Sequence, residues 1–551
     1  RFLNGSLRGL REFTPRVTFN GPIIANKLWF SQGAEYRIAK RRVLALPFPV
    51  NETVTESVNS FTQVDYIPSA THSISGTLHI APQQAKFFNL DFFNRRPVTP
   101  NYRVRDYTGT IIDRWTLGEN LLESTVAIKR AGIDVWAQGL QEMTLTPTGN
   151  SGNYFNSQDR HSSRYELIEM LSLKPIRSAG THNLKFGASV TRAHIDGLYS
   201  ARPVNIRNTR GELLERIEFV GGSEYSRNDV ELATFGQDHW IVTQNLALDL
   251  GLRVERQGVT ETFRMAPRVG LAWTPFGNQR TVLRGGYGFF YDRVPLNIYA
   301  FEKIPQQVVT TYGPGGVIIG QPRQWANVID RVATNDTPFV IRDNTKGNFA
   351  PYSGTWTVEV EHPLTKNLRV RANYQASNSY GLVTVTPRLF EGRDALVMGG
   401  SGQSRYRQLE IVSKLNWGEG QNLFFSYVRS RIRGNLNEFN NYLGNFPYPI
   451  VRPDQYTNLP ADLPHRFLAW GTVKLPWKTR VSPLVEWRTG LPYAIYDQGQ
   501  QYVGQPFADK NRFPNFFSFD ARFIREFEIN RTVDALFNRK LKDPTFVRVS
   551  V

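Results

Sequence analysis

The short segment DLPHRF places Asp462, His465 and Arg466 close together in the sequence, and these residue types can act as acids, bases or metal ligands. No second cluster with ligand-like spacing accompanies them, and the chain has only 8 histidines and no cysteine. A thiolate metal site, a disulfide and a cysteine nucleophile are therefore excluded. The simpler interpretation is the start of a strand, where Pro464 ends a loop and polar groups cap exposed backbone. We predict no metal site and no cofactor.

Other catalytic motifs do not change this interpretation. The sequence contains no GxxxxGK[ST], no HExxH and no GxSxG with plausible partners. RGGYG, from Arg284 to Gly288, is rich in glycine but lies inside an alternating strand pattern, where glycine permits close approach or bending. The sequence therefore predicts a protein that is not an enzyme.

Regularly spaced charges are the better candidates for a functional surface. In NLALDLGLRVE, Asp249, Arg253 and Glu255 alternate with an apolar stripe from Leu246 to Val254, and Arg268 alternates with the apolar residues of RVGLAWT. Successive side chains of a strand point to opposite faces. In a soluble sheet the charged face would meet water, whereas in a membrane barrel it would line a wet lumen. Ion pairing within the wall is the simpler role for these four residues, and direct substrate contact is the alternative.

The same alternation recurs along the whole chain, so one architecture must position these residues. Short turns such as KPIRSAGTHN, TPFGNQR and EHPLTKN separate alternating segments in pairs, and longer polar stretches lie between the pairs. The long stretches include Thr146–Ser163, Pro305–Thr345 and Gly434–Pro464. Short turns at one end and long loops at the other are typical of an outer-membrane β-barrel. We therefore predict an all-β, transmembrane antiparallel barrel with short periplasmic turns and long extracellular loops.

Composition supports this architecture and gives a strand number. Aromatic residues make up 13% of the 551 residues, and many lie near predicted strand ends, as expected for girdles at the membrane interface. No run of 18 apolar residues occurs, so no transmembrane helix is predicted. A spanning strand needs roughly 9–11 residues, and about 22 strands would allot about 25 residues to each strand and its connection. We expect about 22 strands, with two either way.

The formal charge of +18 could indicate a nucleic-acid partner, but the basic residues are dispersed along the chain. No single patch or tail collects them, so we predict no nucleic-acid binding. A solvated lumen, or contact with the anionic phosphates of outer-membrane lipid and lipopolysaccharide, accounts for the excess.

Several stretches resemble a known family. FTPRVTFNGPIIANKLWFSQGAEYR, FGQDHWIVTQNLALDLGLRVERQ and APRVGLAWTPFGNQRTVLRGGYGFFYDR are similar, in order, to the barrel of TonB-dependent outer-membrane transporters of the Oar-like branch typical of Acidobacteria. The resemblance implies a 22-strand barrel, an internal plug and uptake that the TonB complex energises in a Gram-negative, diderm bacterium. The plug and a carboxypeptidase-regulatory-like domain are expected upstream of Arg1, because the chain shows neither of them nor a TonB box.

An empty barrel of this width would be an open pore, so we expect a plug inside it and a ligand mouth above it. The candidates for the mouth are Tyr442, Phe446, Tyr448 and Tyr456, because aromatic faces stack on sugar rings or apolar ligands. Packing of these rings within their own loop is the simpler interpretation. The functional prediction is a transporter or receptor for an unidentified oligosaccharide, peptide or siderophore. The alternative is a structural, adhesive or scaffold barrel without active transport.

Overall fold

The computed structural model describes residues 10–276, 280–331, 338–342, 349–528 and 546–550. These residues form one sheet of 30 strands, four short 3-10 helices and one short α-helix. The strands are β1 Glu12–Phe13, β2 Arg16–Ile24, β3 Leu28–Arg42, β4 Glu52–Ser69, β5 His72–Ile80, β6 Gln83–Lys86, β7 Asn101–Leu117, β8 Asn120–Trp136, β9 Met143–Leu145, β10 Asn156–Ser172, β11 Ile176–Arg177, β12 Thr181–Ala201, β13 Val204–Arg207, β14 Leu213–Val220, β15 Glu224–Thr243, β16 Leu246–Gln257, β17 Thr262–Trp273, β18 Val282–Tyr291, β19 Gln306–Thr311, β20 Arg323–Ile329, β21 Val340–Arg342, β22 Tyr352–Pro363, β23 Leu368–Phe390, β24 Arg393–Asn416, β25 Asn422–Asn435, β26 Tyr456–Asn458, β27 His465–Leu475, β28 Thr479–Arg488, β29 Phe516–Glu528 and β30 Phe546–Ser550. The helices are the 3-10 turns Arg96–Val98, Gly258–Thr260, Leu296–Lys303 and Pro314–Gly316, and α1 Asn440–Leu443.

Most strands pair antiparallel with the next strand along the chain and build a continuous barrel wall. In the described ranges this wall contains twenty strands, which are β2, β3, β4, β5, β7, β8, β10, β12, β15, β16, β17, β18, β22, β23, β24, β25, β27, β28, β29 and β30. The remaining strands are short continuations of the wall or lie in connections. The predicted number of about 22, with two either way, agrees with this wall.

The wall presents one apolar and one polar face, as the alternation predicts. Leu252 is 47% exposed, Val269 is 47% exposed and Val358 is 49% exposed, and all three alternate with small or polar residues. The register keeps the faces distinct, since Leu250 lies opposite Val269 while Gly251 lies opposite Arg268. A water-soluble sheet buries its apolar face. Here large apolar side chains are exposed along the wall instead, which is the pattern of a surface that faces lipid.

The two ends of the wall differ in the predicted way. Short turns join β7 to β8, β15 to β16 and β22 to β23, and each reverses the chain at the same end because every second connection of an antiparallel meander returns there. KPIRSAGTHN and EHPLTKN lie at this short-turn end, as does TPFGNQR, of which Gly277 to Gln279 lie outside the described residues. The described residues of the long connections lie at the opposite end, although Thr146–Ser163 includes the first residues of β10. Residues 332–337 and 343–345 of Pro305–Thr345 lie outside the described residues. In the described part of the chain, no helix has the length and apolarity needed to cross a membrane.

Cysteine labelling gives a direct test of this topology, because the chain has no cysteine of its own. Leu389 is 71% exposed at the tip of the tall β23–β24 hairpin, and Glu119 lies in the turn between β7 and β8. A maleimide that does not cross the outer membrane should label Leu389→Cys on intact cells and should label Glu119→Cys only after the cells are opened. Labelling of Glu119→Cys on intact cells would contradict the orientation.

Candidate functional site: a loop cap above a polar wall face

Five strands from the long connections form a second ladder, which we call the loop sheet: β9, β13, β14, β19 and β20. β9 pairs parallel with β13, β14 joins β13 to β19, and β20 pairs parallel with the wall strand β24. The loop sheet leads from β9, just before β10, to β24 in five strand-to-strand steps, whereas the wall needs eight steps from β10 to β24. At about 4.8 Å per step, the shorter route cannot follow the wall. The loop sheet therefore cuts across the mouth of the barrel.

The connection between β25 and β26, residues 436–455, also crosses the mouth, and we call it the crossing loop. Gln158 on β10 donates from Nε2 to the Gly444 carbonyl oxygen at 3.3 Å, and the Tyr154 hydroxyl donates to the Pro447 carbonyl oxygen at 3.1 Å. The Phe446 ring stacks on Phe88, with centroids 4.3 Å apart. β25 lies nine wall steps from β10, which is close to half of the twenty wall strands in the described residues. Contacts with β10 therefore require the crossing loop to span the mouth.

Two hydrophobic clusters hold these connections together as one cap. In the first, Ile298, Val385 and Met398 are fully buried between the 3-10 helix Leu296–Lys303 and the tall β23–β24 hairpin. In the second, Phe155, Val204 and Ile206 are buried where the loop sheet meets β10. Tyr442 belongs to the first cluster and Ile450 to the second, so the crossing loop contributes to both. The cap thus has its own apolar core, as a water-soluble domain does.

An ion pair fastens the loop sheet at its edge. Arg216 on β14 donates from Nη1 and Nη2 to the two Glu142 carboxylate oxygens at 2.6 and 2.8 Å, and the Asn205 side chain donates to the same carboxylate at 3.0 Å. The hydrogen bonds from Arg216 hold the pKa of Glu142 below its usual value, and those same bonds raise the pKa of Arg216. This paired geometry fixes the connection before β9 against β14.

A cleft of about 390 Å³ opens beside the crossing loop. Phe446, Tyr448, Arg452 and Tyr496 contribute to its lining. The Arg452 guanidinium lies 4.5 Å from the Tyr496 ring centroid and 5.3 Å from that of Tyr502, so the cation lies against a pair of stacked aromatic rings. The cleft therefore combines apolar faces with one positioned positive charge.

The structure separates the four aromatic residues that the sequence suggested for a ligand mouth. Phe446 and Tyr448 line the cleft. Tyr442 is only 8% exposed inside the first hydrophobic cluster, and burial raises its pKa. Tyr456 lies on β26, and the Arg433 guanidinium lies over the Tyr456 ring, 5.3 Å from the ring centroid. Tyr442 packs within the cap.

Arg452 and Tyr496 were not singled out from the sequence. Each lies in an aromatic and proline-rich stretch, FPYPIVRP and LPYAIYD. That composition is the only signal by which they could have been found, because the two stretches are separated along the chain and meet only in the folded cap.

The four charged candidates Asp249, Arg253, Glu255 and Arg268 lie on one face of the wall, because the register pairs Gly251 with Arg268 across β16 and β17. Their partners are other wall residues. The His239 ring nitrogen Nδ1 is 2.7 Å from the Asp249 carboxylate, and Arg253 donates to Glu255 at 2.9 Å. The Arg268 guanidinium lies 4.4 Å above the Phe290 ring centroid. These contacts are ion pairs and ring packing within the wall.

The three polar residues of DLPHRF have three separate partners. The buried Asp462 carboxylate binds Arg512 and accepts a hydrogen bond from the Ile432 backbone at 2.8 Å. His465 Nδ1 is 2.8 Å from the Tyr427 hydroxyl, and Arg466 donates to Glu486 at 3.0 Å. In the residues with a described placement, no group of three His, Cys, Asp or Glu side chains could hold a metal ion.

Comparisons with known proteins agree with this architecture. Residues 254–522 match the family model of an outer membrane beta barrel domain. No curated protein matches the sequence. Among solved structures, the outer membrane transporter YddB from Escherichia coli is 12% identical with a TM-score of 0.64, over 93% of this chain and 69% of YddB.

Two receptors of Pseudomonas aeruginosa are also similar. A variant of the ferric enterobactin receptor PfeA is 11% identical with a TM-score of 0.60, over 93% of this chain and 69% of the receptor. The siderophore receptor PirA is 10% identical with a TM-score of 0.55, over 98% of this chain and 76% of the receptor. Sequence identities this low show similarity of fold alone. The resemblance to TonB-dependent receptors is confirmed for the fold. Residues 254–522 thus match an outer membrane beta barrel domain, and the chain as a whole has the fold of outer-membrane receptors and transporters.

Proposed function

We propose that the chain is the barrel of a TonB-dependent transporter that takes up an oligosaccharide, a peptide or a siderophore. The observation that carries this proposal is the crossing loop, which spans the mouth and packs against β10 on the far side. A diffusion pore functions with an open mouth, whereas a mouth covered by packed loops suits a receptor that binds its ligand before admitting it. Hydrogen bonds join the crossing loop to the far side of the mouth, and such bonds can exchange for ligand contacts at modest cost.

The rest of the transporter follows from the same proposal. Residues 1–551 form the barrel domain, and a plug encoded upstream of Arg1, or supplied separately, occupies the lumen. Asp249, Arg253, Glu255 and Arg268 then face the lumen, where their ion pairs present a polar surface to the plug. The TonB complex supplies the energy if the upstream region contains a TonB box. The Oar-like branch remains a prediction from the sequence resemblance.

The ligand mouth in this proposal is the cleft beside the crossing loop. Phe446 and Tyr448 provide faces for sugar rings or apolar groups. Arg452 provides a positive charge for a carboxylate, phosphate or other anionic group. Tyr448 is exposed and therefore accessible, while Tyr442 and Tyr456 support the loops around the cleft.

A reversible lock on the crossing loop tests this proposal. In the natural host, deletion of the gene should abolish uptake of one of the three substrate classes while leaving the other two unchanged. A Gln158→Cys, Asn445→Cys double variant should restore that uptake until a bifunctional thiol reagent bridges the two sites, and cleavage of the bridge should restore it again. Gln158 Nε2 lies 3.4 Å from the Asn445 carbonyl oxygen, so a short reagent can reach both.

The two single-cysteine variants, treated with the same reagent, serve as controls and should retain uptake. If the deletion strain takes up all three classes normally but loses surface adhesion or envelope integrity, the protein is a structural, adhesive or scaffold barrel instead.

A further inference from the structure

The apolar face of the wall changes abruptly to arginine on β24 and β25. On β24, Ile411 and Leu409 are followed on the same face by Arg407 and Arg405. On β25, Tyr427 is followed on the same face by Arg429, Arg431 and Arg433. The register places the changes side by side, since Ile411 lies opposite Tyr427, Leu409 opposite Arg429, Arg407 opposite Arg431 and Arg405 opposite Arg433. We call the five arginines the arginine patch: Arg405, Arg407, Arg429, Arg431 and Arg433.

The arginine patch lies where the hydrocarbon layer should end. β25 begins at Asn422 at the short-turn end, so Arg429 is about seven residues, or roughly 23 Å, along the strand. A strand tilt of 35–45° reduces this to roughly 18 Å of height for Arg429, and the same arithmetic gives roughly 28 Å for Arg433. The patch therefore straddles the upper edge of a lipid-facing apolar band that is about 25 Å tall. The Tyr374 and Tyr427 rings, just below the arginines on this face, occupy the position of an aromatic girdle.

The patch carries more positive charge than its neighbours neutralise. Arg431 pairs with Asp509 at 3.0 Å, and Arg407 donates to the Asn378 side chain at 2.8 Å. Arg512 pairs with both Asp462 and Asp509, so these two acids are shared. Arg405 and Arg429 are exposed, and within the described residues neither has an ion pair or a hydrogen bond from its guanidinium. Two guanidinium groups at the outer edge of the membrane are therefore available to an anion.

The patch also has a shape that suits a headgroup. A groove of about 390 Å³ is lined by Arg407, Arg429 and Arg431 together with Asp462 and Asp509. Tyr374, Leu409 and His465 complete its lower side. Three arginines against two carboxylates, which Arg512 also pairs, leave its upper part net positive, and its lower part is apolar or aromatic. An amphipathic ligand with a phosphate above and acyl chains below matches this division.

We propose that the arginine patch binds a phosphate group of a phosphorylated glycolipid in the outer leaflet of the membrane. Arginine presents a planar fork that binds phosphate through paired hydrogen bonds, and the desolvated edge of the bilayer strengthens such contacts. The acyl chains lie along Leu409, Ile411 and Tyr427. The proposal depends on the apolar wall face meeting lipid and is independent of transport.

Lipid co-purification tests the proposal. The chain is extracted with mild detergent, and bound phosphorylated glycolipid is measured by native mass spectrometry and by titration with the purified lipid. An Arg405→Gln, Arg429→Gln double variant should bind the lipid on the order of tenfold more weakly, because each arginine near an anionic membrane surface contributes to binding. The matched control is Arg466→Gln, an exposed arginine on the opposite face of the adjacent strand β27, which should bind the lipid as the natural chain does.

Three results would overturn the proposal. Equal lipid binding by the double variant and the natural chain would show that the patch does not hold the lipid. Equal binding of the dephosphorylated glycolipid would show that phosphate is not recognised. Complete competition by inorganic phosphate would show a site for free anions instead of a lipid headgroup. The double variant should keep the heat-modifiable gel mobility of a folded barrel, so a loss of binding reports on the patch and not on assembly.

Discussion

Replacing Leu252 by arginine should prevent assembly of the barrel in membranes or lower its free energy of unfolding by about 2–4 kcal/mol. Leu252 is 47% exposed on the apolar face of β16, and its cross-strand neighbours are Gly236 and Pro267. No acidic residue lies directly opposite it, so the new charge would meet hydrocarbon without a partner. Leu250 is a less suitable site, because it lies opposite Asp238.

The matched control is Gly251→Arg on the neighbouring residue, which lies on the polar face opposite Gln237 and Arg268. A side chain can be added there, since the nearest atoms to a new Cβ are 3.8 Å away. The control should assemble with a smaller loss of stability, which arises from repulsion by Arg268. Both variants are measured by urea-dependent folding into lipid vesicles. Equal losses for the two variants would refute the assignment of the faces.

Removing the crossing loop should turn the barrel into an open channel. When a short Gly/Ser linker replaces residues 438–452, the stacking of Phe446 on Phe88 and the Tyr154 contact with Pro447 are lost. The first hydrophobic cluster also loses Phe439, Tyr442 and Leu443. We expect the single-channel conductance of the chain in planar bilayers to rise on the order of tenfold, because lumen width grows with strand number and the cap no longer covers it.

Shortening the exposed tip of the β23–β24 hairpin, residues 389–392, is the control for loop removal in general. Leu389 is 71% exposed there, and the conductance of this variant should equal that of the natural chain. If both variants conduct as little as the natural chain does, the crossing loop is not the barrier to ion flow.

The wall was predictable from the sequence because the face on which each wall residue lies depends on the alternation within its own strand. Alternation along β16 assigns each side chain to a face without knowledge of the rest of the chain. One exception shows where the rule ends. Asp238 shares the apolar face with Leu250, and it is tolerated because His182 Nδ1 lies 2.6 Å from its carboxylate while Trp240 stacks on the His182 ring. Alternation along one strand does not reveal such a partner on the neighbouring strand, which here is β12.

The cap was not predictable, because its contacts join segments that are distant in the sequence. β13 and β19 are short strands within long polar connections, and each has one pairing partner in a different connection, β9 for β13 and β14 for β19. Tyr442 illustrates the consequence. Its sequence context of aromatic and polar residues is the same for a binding loop and for a loop that packs on itself, and only the buried neighbours in the folded cap distinguish the two.

The cap also has a place in the order of folding. Its first hydrophobic cluster contains residues from Tyr199 to Leu443. The strands of the loop sheet, from β9 to β20, come from different connections. Closing such long loops is entropically costly until the strands that carry them are fixed side by side. We therefore expect the cap to form late, after the wall strands from β8 to β25 have inserted. A barrel halted during insertion displays unburied aromatic residues on the cell surface, and completion of the wall is the event that conceals them.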